Sequence, residues 1–396
     1  MSAVLALGLA LAHGHGGHEH GPKAHGHGHG EGIFRRLAVA DAKVPLVRIL
    51  DEEGRELARF TVPSPASLPI SLTPVPGGQY VVFAHHGAGA VSFLYGGFRL
   101  EDHGDHQDVK PEIPYVAATL RTGPKPTHVF AKGDWLAIYH DGDGTVALFD
   151  LRRLGLDWTP RLVATGRADH GAVAILGEAL LVGGMESGRV EVYTLSGSRV
   201  LTLPQACPQL HGEAVLGNVA AFGCADGVLL VERQGQGFVG RKVANPPGAP
   251  QGARARIVKA HARHPFFVMD FGQGLAFLDP KVGRLEPLAL PAEPIRPAFG
   301  FDPEGKALYV LTADGRFHRL DPEARRVVGS LEAVSPWAQG SPRPVLALGH
   351  GVAYLTDPLK GEVVRVDLEG WRVEARLPVG GTPGSIALFE VEGMEH

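Results

Sequence analysis

Short apolar runs separated by turn-forming residues recur along most of the chain. Each copy opens with a Pro or His turn, continues into apolar strands and passes a Gly/Asp hairpin, as in PTHVFAKGDWLAIYHDGDGTVALFDL from Pro126. Further copies start near Pro69, Asp169, Leu210, Ala253, Arg296 and Arg343. A spacing of roughly 40 to 47 residues is that of a four-stranded propeller blade. The pattern therefore predicts an all-β protein, a β-propeller.

The two ends of the chain complement each other. RRLAVADAKVPLVRILDEEGRELARFTV, from Arg35, holds three strands with no inner strand before them, whereas TPGSIALFEVEG, from Thr382, is an inner strand with none after it. Joined in one blade, they would close the ring and remove its edges. We expect residues 33–396 to form one propeller domain of eight blades, or of seven if the irregular region 240–290 is not a blade. The regular period disfavours a pair of β-sandwiches.

Composition agrees with this fold class and excludes some partners. The 396 residues include 54 Gly and 31 Pro, which suits many short strands and tight turns. No stretch keeps an apolar period of about 3.6 residues, so we expect no substantial helix. The formal net charge of -4 gives no electrostatic reason to expect a nucleic-acid partner.

The first residues predict export. AVLALGLALA, from Ala3, is too short to span a bilayer as a helix and is typical of the apolar core of a signal peptide, although no positively charged start precedes it. We interpret residues 1–12 as a signal peptide, with a cleavage motif at Ala10 and Ala12. Residues 13–32 follow as a His-Gly segment that cannot pack a core, which predicts disorder and weak, exchangeable metal binding. A periplasmic protein without a membrane partner is expected.

The two cysteines, Cys207 and Cys224, are an even number in a chain expected to be exported. The repeat places both in one blade, so we predict a disulfide between them. Two buried thiols are the alternative.

Three histidines occupy the same position in successive repeats. His128 in PTHVF, His170 in ADHGAV and His211 in QLHGEAV each stand where the chain turns into an inner strand. Equivalent positions of adjacent blades converge near the propeller axis. Three imidazoles there predict a site for zinc, although copper and nickel also bind imidazole.

A second dense stretch, LEDHGDHQD, lies in an insertion between the third and fourth strands of the second repeat. Its residues His103, Asp105 and His106 form a candidate loop chelate for zinc. The insertion either folds towards the axis and joins the other histidines or forms a separate site. His85 in FAHHGAG is a further candidate ligand, with His86 beside it as the alternative.

EDHGDHQD, KPTHVF, ADHGAVA and CPQLHGEAVLGNVAAFGCADGVLLVE together resemble the periplasmic zinc metallochaperones of the AztD type. The resemblance extends from about residue 36 onwards. It implies a β-propeller with two zinc sites that hands Zn²⁺ directly to the zinc-specific solute-binding protein of an ABC importer. It carries over His103, Asp105, His106, His128, His170 and His211 as ligands. We expect a non-enzyme that acts as a monomer.

Two other classes of function remain open. A zinc-dependent hydrolase or lyase would keep an open metal position near a general base, and Glu213 could serve as that base. The sequence contains no nucleophile elbow, phosphate-binding loop or cofactor motif. A metal-free protein-interaction propeller is the other alternative, but it leaves the repeated histidine position unexplained.

Overall fold

The computed structural model of the chain describes residues 32–62, 68–290 and 297–395. These residues form β-strands joined by turns, together with two single 3₁₀ turns at His86–Ala88 and Leu151–Arg153. The described ranges contain no helix long and apolar enough to cross a membrane. The prediction of an all-β fold without substantial helix is confirmed. The proposed signal peptide and, apart from Gly32, the His-rich segment lie outside the described residues.

Eight sheets of four antiparallel strands follow one another along the described chain, and we number them in chain order. The first seventeen strands, all of which except β7 and β8 belong to sheets 1 to 4, are β1 (Ile33–Asp41), β2 (Leu46–Leu50), β3 (Glu56–Thr61), β4 (Leu72–Pro74), β5 (Tyr80–His85), β6 (Ala90–Tyr95), β7 (Phe98–Asp102), β8 (Gln107–Pro111), β9 (Tyr115–Leu120), β10 (Pro126–Lys132), β11 (Trp135–His140), β12 (Thr145–Asp150), β13 (Arg161–Ala164), β14 (Gly171–Leu176), β15 (Ala179–Gly184), β16 (Val190–Thr194) and β17 (Arg199–Thr202).

The remaining strands are β18 (Glu213–Leu216), β19 (Val219–Cys224), β20 (Gly227–Gln234), β21 (Gly237–Ala244), β22 (Val258–Ala260), β23 (Phe267–Phe271), β24 (Gly274–Leu278), β25 (Leu285–Leu288), β26 (Ala298–Phe301), β27 (Leu308–Leu311), β28 (Arg316–Asp321), β29 (Arg326–Glu332), β30 (Leu346–Gly349), β31 (Val352–Asp357), β32 (Glu362–Asp367), β33 (Arg372–Pro378), β34 (Pro383–Glu392) and β35 (Met394–Glu395). Sheets 3 to 8 each take four consecutive strands, from β10 to β33.

Sheet 1 combines the two ends of the chain. Its order is β3-β2-β1-β34, and β1 pairs with β34 in an antiparallel register in which Leu37 faces Leu388. The predicted pairing of the first strands with the last long strand is therefore present. In sheet 1, β34 takes the position that the earliest strand takes in each of the other seven four-stranded sheets.

Sheet 2 carries the predicted insertion. Its order is β4-β5-β6-β9, and the hairpin β7-β8 leaves the sheet between its third and fourth strands. This hairpin forms a separate three-stranded sheet with β35, which runs parallel to β8 and places Met394 opposite Asp108. LEDHGDHQD thus lies at the tip of a hairpin that stands apart from the four-stranded sheets.

An apolar cluster lies between each pair of successive sheets. The clusters join sheets 1 to 8 in order, and one of them joins sheet 8 to sheet 1 through Tyr354, Val352 and Ile386. The first strands of neighbouring sheets also contact each other, as in β10 with β14, β14 with β18 and β34 with β4. The outer strands alternate exposed and partly buried residues, as in β33. Burial between sheets, at roughly 1.5–3 kcal/mol for each large apolar side chain, is the main stabilising contribution.

Candidate metal centres

The three repeat histidines reach their positions by slightly different routes. His170 and His211 lie just before β14 and β18, at the start of the first strand of sheets 4 and 5, as predicted. His128 lies within β10, where the register with β11 shifts between Pro126 and Val129. Such a bulge turns a side chain away from the regular alternation of a strand. Three consecutive sheets therefore each direct one imidazole to a common point.

These side chains form what we call the three-histidine cluster: His128, His170 and His211. One ring nitrogen of each lies within 4.8 Å of the others. The ring centroids are 5.0 Å apart for His128 and His170, 5.2 Å for His128 and His211, and 5.3 Å for His170 and His211. All three residues are partly buried. The convergence inferred from the repeat is present in the structure.

Outer hydrogen bonds fix which nitrogen of two rings faces the cluster. Nδ1 of His170 lies 2.6 Å from a carboxylate oxygen of Asp141, and Nδ1 of His211 lies 2.9 Å from the carbonyl oxygen of Arg256. A carbonyl and an ionised carboxylate only accept, so Nδ1 of each ring carries the proton. In the neutral ring, Nε2 then keeps its lone pair, as a metal ligand requires.

The outer partners also set the charges around the cluster. The hydrogen bond to Asp141 raises the pKa of His170 and outweighs the effect of burial. Burial alone would raise the pKa of Asp141, but hydrogen bonds from His170 and Thr127 hold it below its usual value. Burial, followed by repulsion from His211 and His170, lowers the pKa of His128 to about 4. His128 is therefore neutral near pH 7 and ready to bind a cation.

Glu213 lies behind His128. Its Oε1 is 3.9 Å from Nδ1 of His128, and its side chain is 7% exposed. Burial raises the pKa of Glu213 to about 8, so the carboxyl group is largely protonated near pH 7 in the metal-free protein. The contact therefore joins two neutral groups and is not an ion pair. A metal ion nearby would favour the ionised carboxylate.

The spacing of the cluster suits tetrahedral zinc. Nε2 of His128 and Nε2 of His170 are 3.3 Å apart. Two nitrogens bound at about 2.0–2.1 Å in a tetrahedron are about 3.3–3.4 Å apart. Three imidazoles leave one coordination position for another ligand, which is the arrangement that allows exchange.

The predicted disulfide is present beside the cluster. Cys207 and Cys224 are bonded, with Cα atoms 4.9 Å apart. The same two segments are also joined by backbone hydrogen bonds: the N–H of His211 donates to the carbonyl of Gly223 at 3.0 Å, and the N–H of Ala225 donates to the carbonyl of Pro208 at 2.7 Å. The bridge thus ties the segment that carries His211 to β19.

The second group, which we call the hairpin cluster, consists of His103, His106 and Asp108 at the tip of β7-β8. Nε2 of His103 lies 3.3 Å from Oδ2 of Asp108, and Nε2 of His106 lies 3.5 Å from Oδ1. The two rings stack with centroids 5.0 Å apart. Gly104, at a φ of +87°, makes the tight turn between them. The hairpin cluster is separate from the three-histidine cluster, which decides between the two arrangements left open by the sequence.

Asp105, expected to be a ligand, is not a member of this group. Its carboxylate lies 2.7 Å from Nδ1 of His106, and its side chain is 87% exposed. This hydrogen bond directs Nε2 of His106 towards Asp108 and lowers the pKa of Asp105. Asp105 is therefore placed as an outer partner of His106, and Asp108 supplies the carboxylate.

His85, also expected to be a ligand, joins neither group. It is fully buried, stacks edge-on against Phe83 and lies with Nε2 2.6 Å from the hydroxyl of Ser92. Burial lowers the pKa of His85 to about 4. His85 is the last residue of β5, and its side chain packs against residues of β5 and β6 in sheet 2. His86 lies in the adjoining 3₁₀ turn and is in neither group.

Two residues of these centres were not singled out from the sequence. Asp108 lies in β8, two positions after His106, and the local motif does not distinguish it from Asp105 as the carboxylate that faces both imidazoles. Asp141 belongs to the hairpin DGDG and was interpreted only as a turn residue. Nothing local in the sequence shows that it contacts His170 of the next sheet.

The chain is similar to known proteins in both sequence and structure. No family model matches the chain. It is 26% identical over 377 residues, or 91% of this chain and 88% of the relative, to the zinc chaperone AztD of Citrobacter koseri. Two structures of that protein, one described as apo, superpose with a TM-score of 0.79 at 25% identity, covering 92% of this chain and 100% of theirs. The predicted resemblance is confirmed.

A more distant structure supports the fold alone. The dihydro-heme d1 dehydrogenase NirN, in complex with DHE, matches with a TM-score of 0.60 at 15% identity and covers 89% of this chain and 74% of its own.

Proposed function

We propose that this relative of AztD is a zinc metallochaperone that works in the periplasm. It holds Zn²⁺ as cargo and delivers it to the zinc-specific solute-binding protein of an ABC importer. The observation that carries the proposal is the three-histidine cluster, in which imidazoles from three sheets converge with the spacing of a tetrahedral zinc site. The similarity to a zinc chaperone over nine-tenths of the chain supports the same role.

Residues 33–396 form, in this proposal, one domain: a closed propeller of eight blades rather than seven. Eight four-stranded sheets and an apolar cluster between each successive pair, including sheets 8 and 1, support it. A closed ring explains how three inner-strand histidines meet, since inner strands of neighbouring blades converge at the axis.

The two clusters take different parts in the proposed route. The hairpin cluster is more exposed, and Lys110 lies 3.5 Å from the carboxylate of Asp108. A cation this close competes with a bound metal, so we assign weaker binding to the hairpin cluster. The three-histidine cluster, in which two of the three tautomers are fixed and less solvent is present, is assigned tighter binding. The His-rich segment 13–32 collects zinc and, once residues 1–12 are removed, precedes the propeller as a tethered donor.

Transfer to the partner proceeds by ligand exchange. Three imidazoles leave a position that a histidine or carboxylate of the acceptor occupies before the first imidazole leaves. No intermediate with free zinc is needed, and the protein performs no bond-breaking chemistry. We propose that it acts as a monomer and is not an enzyme.

The experiment is a transfer assay with matched variants. The zinc-loaded chain is mixed with the zinc-free solute-binding protein, and zinc on each protein is measured after separation. We expect His128→Ala to abolish transfer of the tightly held ion, whereas His261→Ala, which changes a histidine just after β22 and outside the cluster, leaves it unchanged. Equal transfer by the His128 variant would contradict the proposal. Ester or peptide hydrolysis that rises with zinc content would instead support the zinc-enzyme alternative.

A further inference from the structure

A large cavity lies away from both metal clusters. Its volume is about 730 Å³, and it is bounded by the first strands of five sheets: β34, β4, β22, β26 and β30. None of the three repeat histidines lines it. The volume falls within the roughly 300–1,000 Å³ typical of small-molecule sites.

The walls are mainly apolar. Apolar residues from four sheets contribute to them: Pro74, Ile257, Ala298, Leu346 and Leu348. Ile257 is 37% exposed, although large apolar side chains in this protein are otherwise mostly buried between sheets. Surface of this kind favours the apolar part of a ligand over water.

One cation in the cavity has no partner within the described ranges. Lys259, in the middle of β22, is exposed towards the cavity and makes no hydrogen bond or ion pair there. The other charged or titratable groups on the walls are engaged: His261 donates Nε2–H to Pro303 at 2.8 Å, and Asp302 accepts from the N–H of Ala307 at 2.9 Å. Arg343 is also held by a partner.

An ammonium group among apolar walls attracts an anion more strongly than one at an open surface, because the local dielectric constant is lower. The position of Lys259 in the concave wall also lowers the pKa of its ammonium group. A carboxylate paired with the Lys259 ammonium group would compensate for the hydration that this group loses in the concave wall.

We propose that this cavity binds an organic carboxylate with an apolar body, whose carboxylate pairs with Nζ of Lys259. The site is independent of zinc, because its walls come from sheets 1, 2, 6, 7 and 8 whereas the three-histidine cluster comes from sheets 3 to 5. The inference does not depend on the proposed chaperone role.

The test is calorimetric titration of the full chain, freed of metal with a chelator, using octanoate as the probe. We expect saturable binding of one octanoate per chain, at least tenfold weaker in Lys259→Gln and retained in Lys259→Arg. Lys281→Gln, which changes an exposed lysine in a turn outside the cavity, serves as the control and should bind like the wild type.

Further titrations test which anions bind in the cavity. They also distinguish failure of the carboxylate site from failure of the chaperone proposal. Inorganic phosphate should bind at least tenfold more weakly than octanoate, and comparable binding would overturn the requirement for an apolar body. Absence of octanoate binding, or equal binding by Lys259→Gln, would overturn the site. Zinc affinity measured on the same variants should stay unchanged, so a failure here leaves the chaperone proposal standing and the reverse also holds.

Discussion

Asp141 accepts a hydrogen bond from Nδ1 of His170 across the boundary between sheets 3 and 4, with 2.6 Å between the two atoms. The contact fixes the tautomer of a candidate zinc ligand from outside the cluster. It also links two neighbouring sheets at the point where the imidazoles converge. We therefore expect the zinc affinity of the three-histidine cluster to depend on residues that do not touch the metal.

Asp141→Asn should weaken zinc binding at the three-histidine cluster by about 10–100-fold, the usual effect of losing an outer carboxylate. The neutral amide holds Nδ1–H less firmly and makes Nε2 less basic. Competition with a chromophoric chelator measures the change. Asp143→Asn, in the same hairpin but bonded to Thr145, is the control. Equal affinity in the Asp141 and Asp143 variants would contradict the role assigned to Asp141.

Asp108→Asn should remove zinc from the hairpin cluster, whereas Asp105→Asn should only weaken binding, by about tenfold. The reason is that Asp108 offers its oxygens to the cluster and Asp105 only orients His106. Zinc titration of each variant in a His128→Ala background that also lacks residues 1–32 isolates this site. The opposite order of effects would restore Asp105 as the ligand expected from the sequence.

Replacing Cys207 and Cys224 by serine should lower the free energy of unfolding by about 3 kcal/mol, since the bridge closes a loop of 17 residues in the unfolded chain. The same double variant should bind zinc more weakly at the three-histidine cluster, because the segment carrying His211 loses its tie to β19. Denaturant unfolding and chelator competition measure the two effects. Full zinc affinity with reduced stability would limit the disulfide to a role in folding.

His85 should make the metal-free protein sensitive to acid. Its pKa is lowered from 6.5 to about 4 by burial, so the folded state favours the neutral ring. Its contribution is complete above pH 6.5 and is lost as the pH falls towards 4, by at most about 3 kcal/mol. The stability gap between wild type and His85→Asn should therefore shrink over this range. A gap independent of pH in thermal unfolding would refute this, and zinc affinity should be unchanged in the variant.

Much of this architecture could be predicted from local patterns in the sequence. Turn residues such as Gly177 between β14 and β15, and the alternation of apolar strands, mark each sheet, and the repeat places His128, His170 and His211 in equivalent positions. The long strand β34 was also recognisable, because TPGSIALFEVEG has the pattern of an inner strand; the two-residue β35 that follows it and pairs with β8 was not expected. These features depend on short-range geometry, which a sequence records directly.

Other features depend on contacts between distant parts of the chain. His85 lies in an exposed-looking AHHG turn, yet it is fully buried, because Ser92 on β6 and Phe83 enclose it. Asp141 contacts His170 only after two sheets pack together. Choosing Asp108 over Asp105 needed the register of β7 with β8, in which Asp102 faces Gln107. Each of these features depends on tertiary packing, which the local sequence motif does not determine.

Imidazoles from three neighbouring sheets, we propose, hold one zinc ion together. Diffraction data collected at the zinc absorption edge, from crystals of the zinc-loaded chain, would locate the ion. We expect an anomalous peak about 2.0–2.1 Å from a ring nitrogen of each of His128, His170 and His211. An empty three-histidine cluster in zinc-loaded crystals, with zinc bound elsewhere, would contradict it.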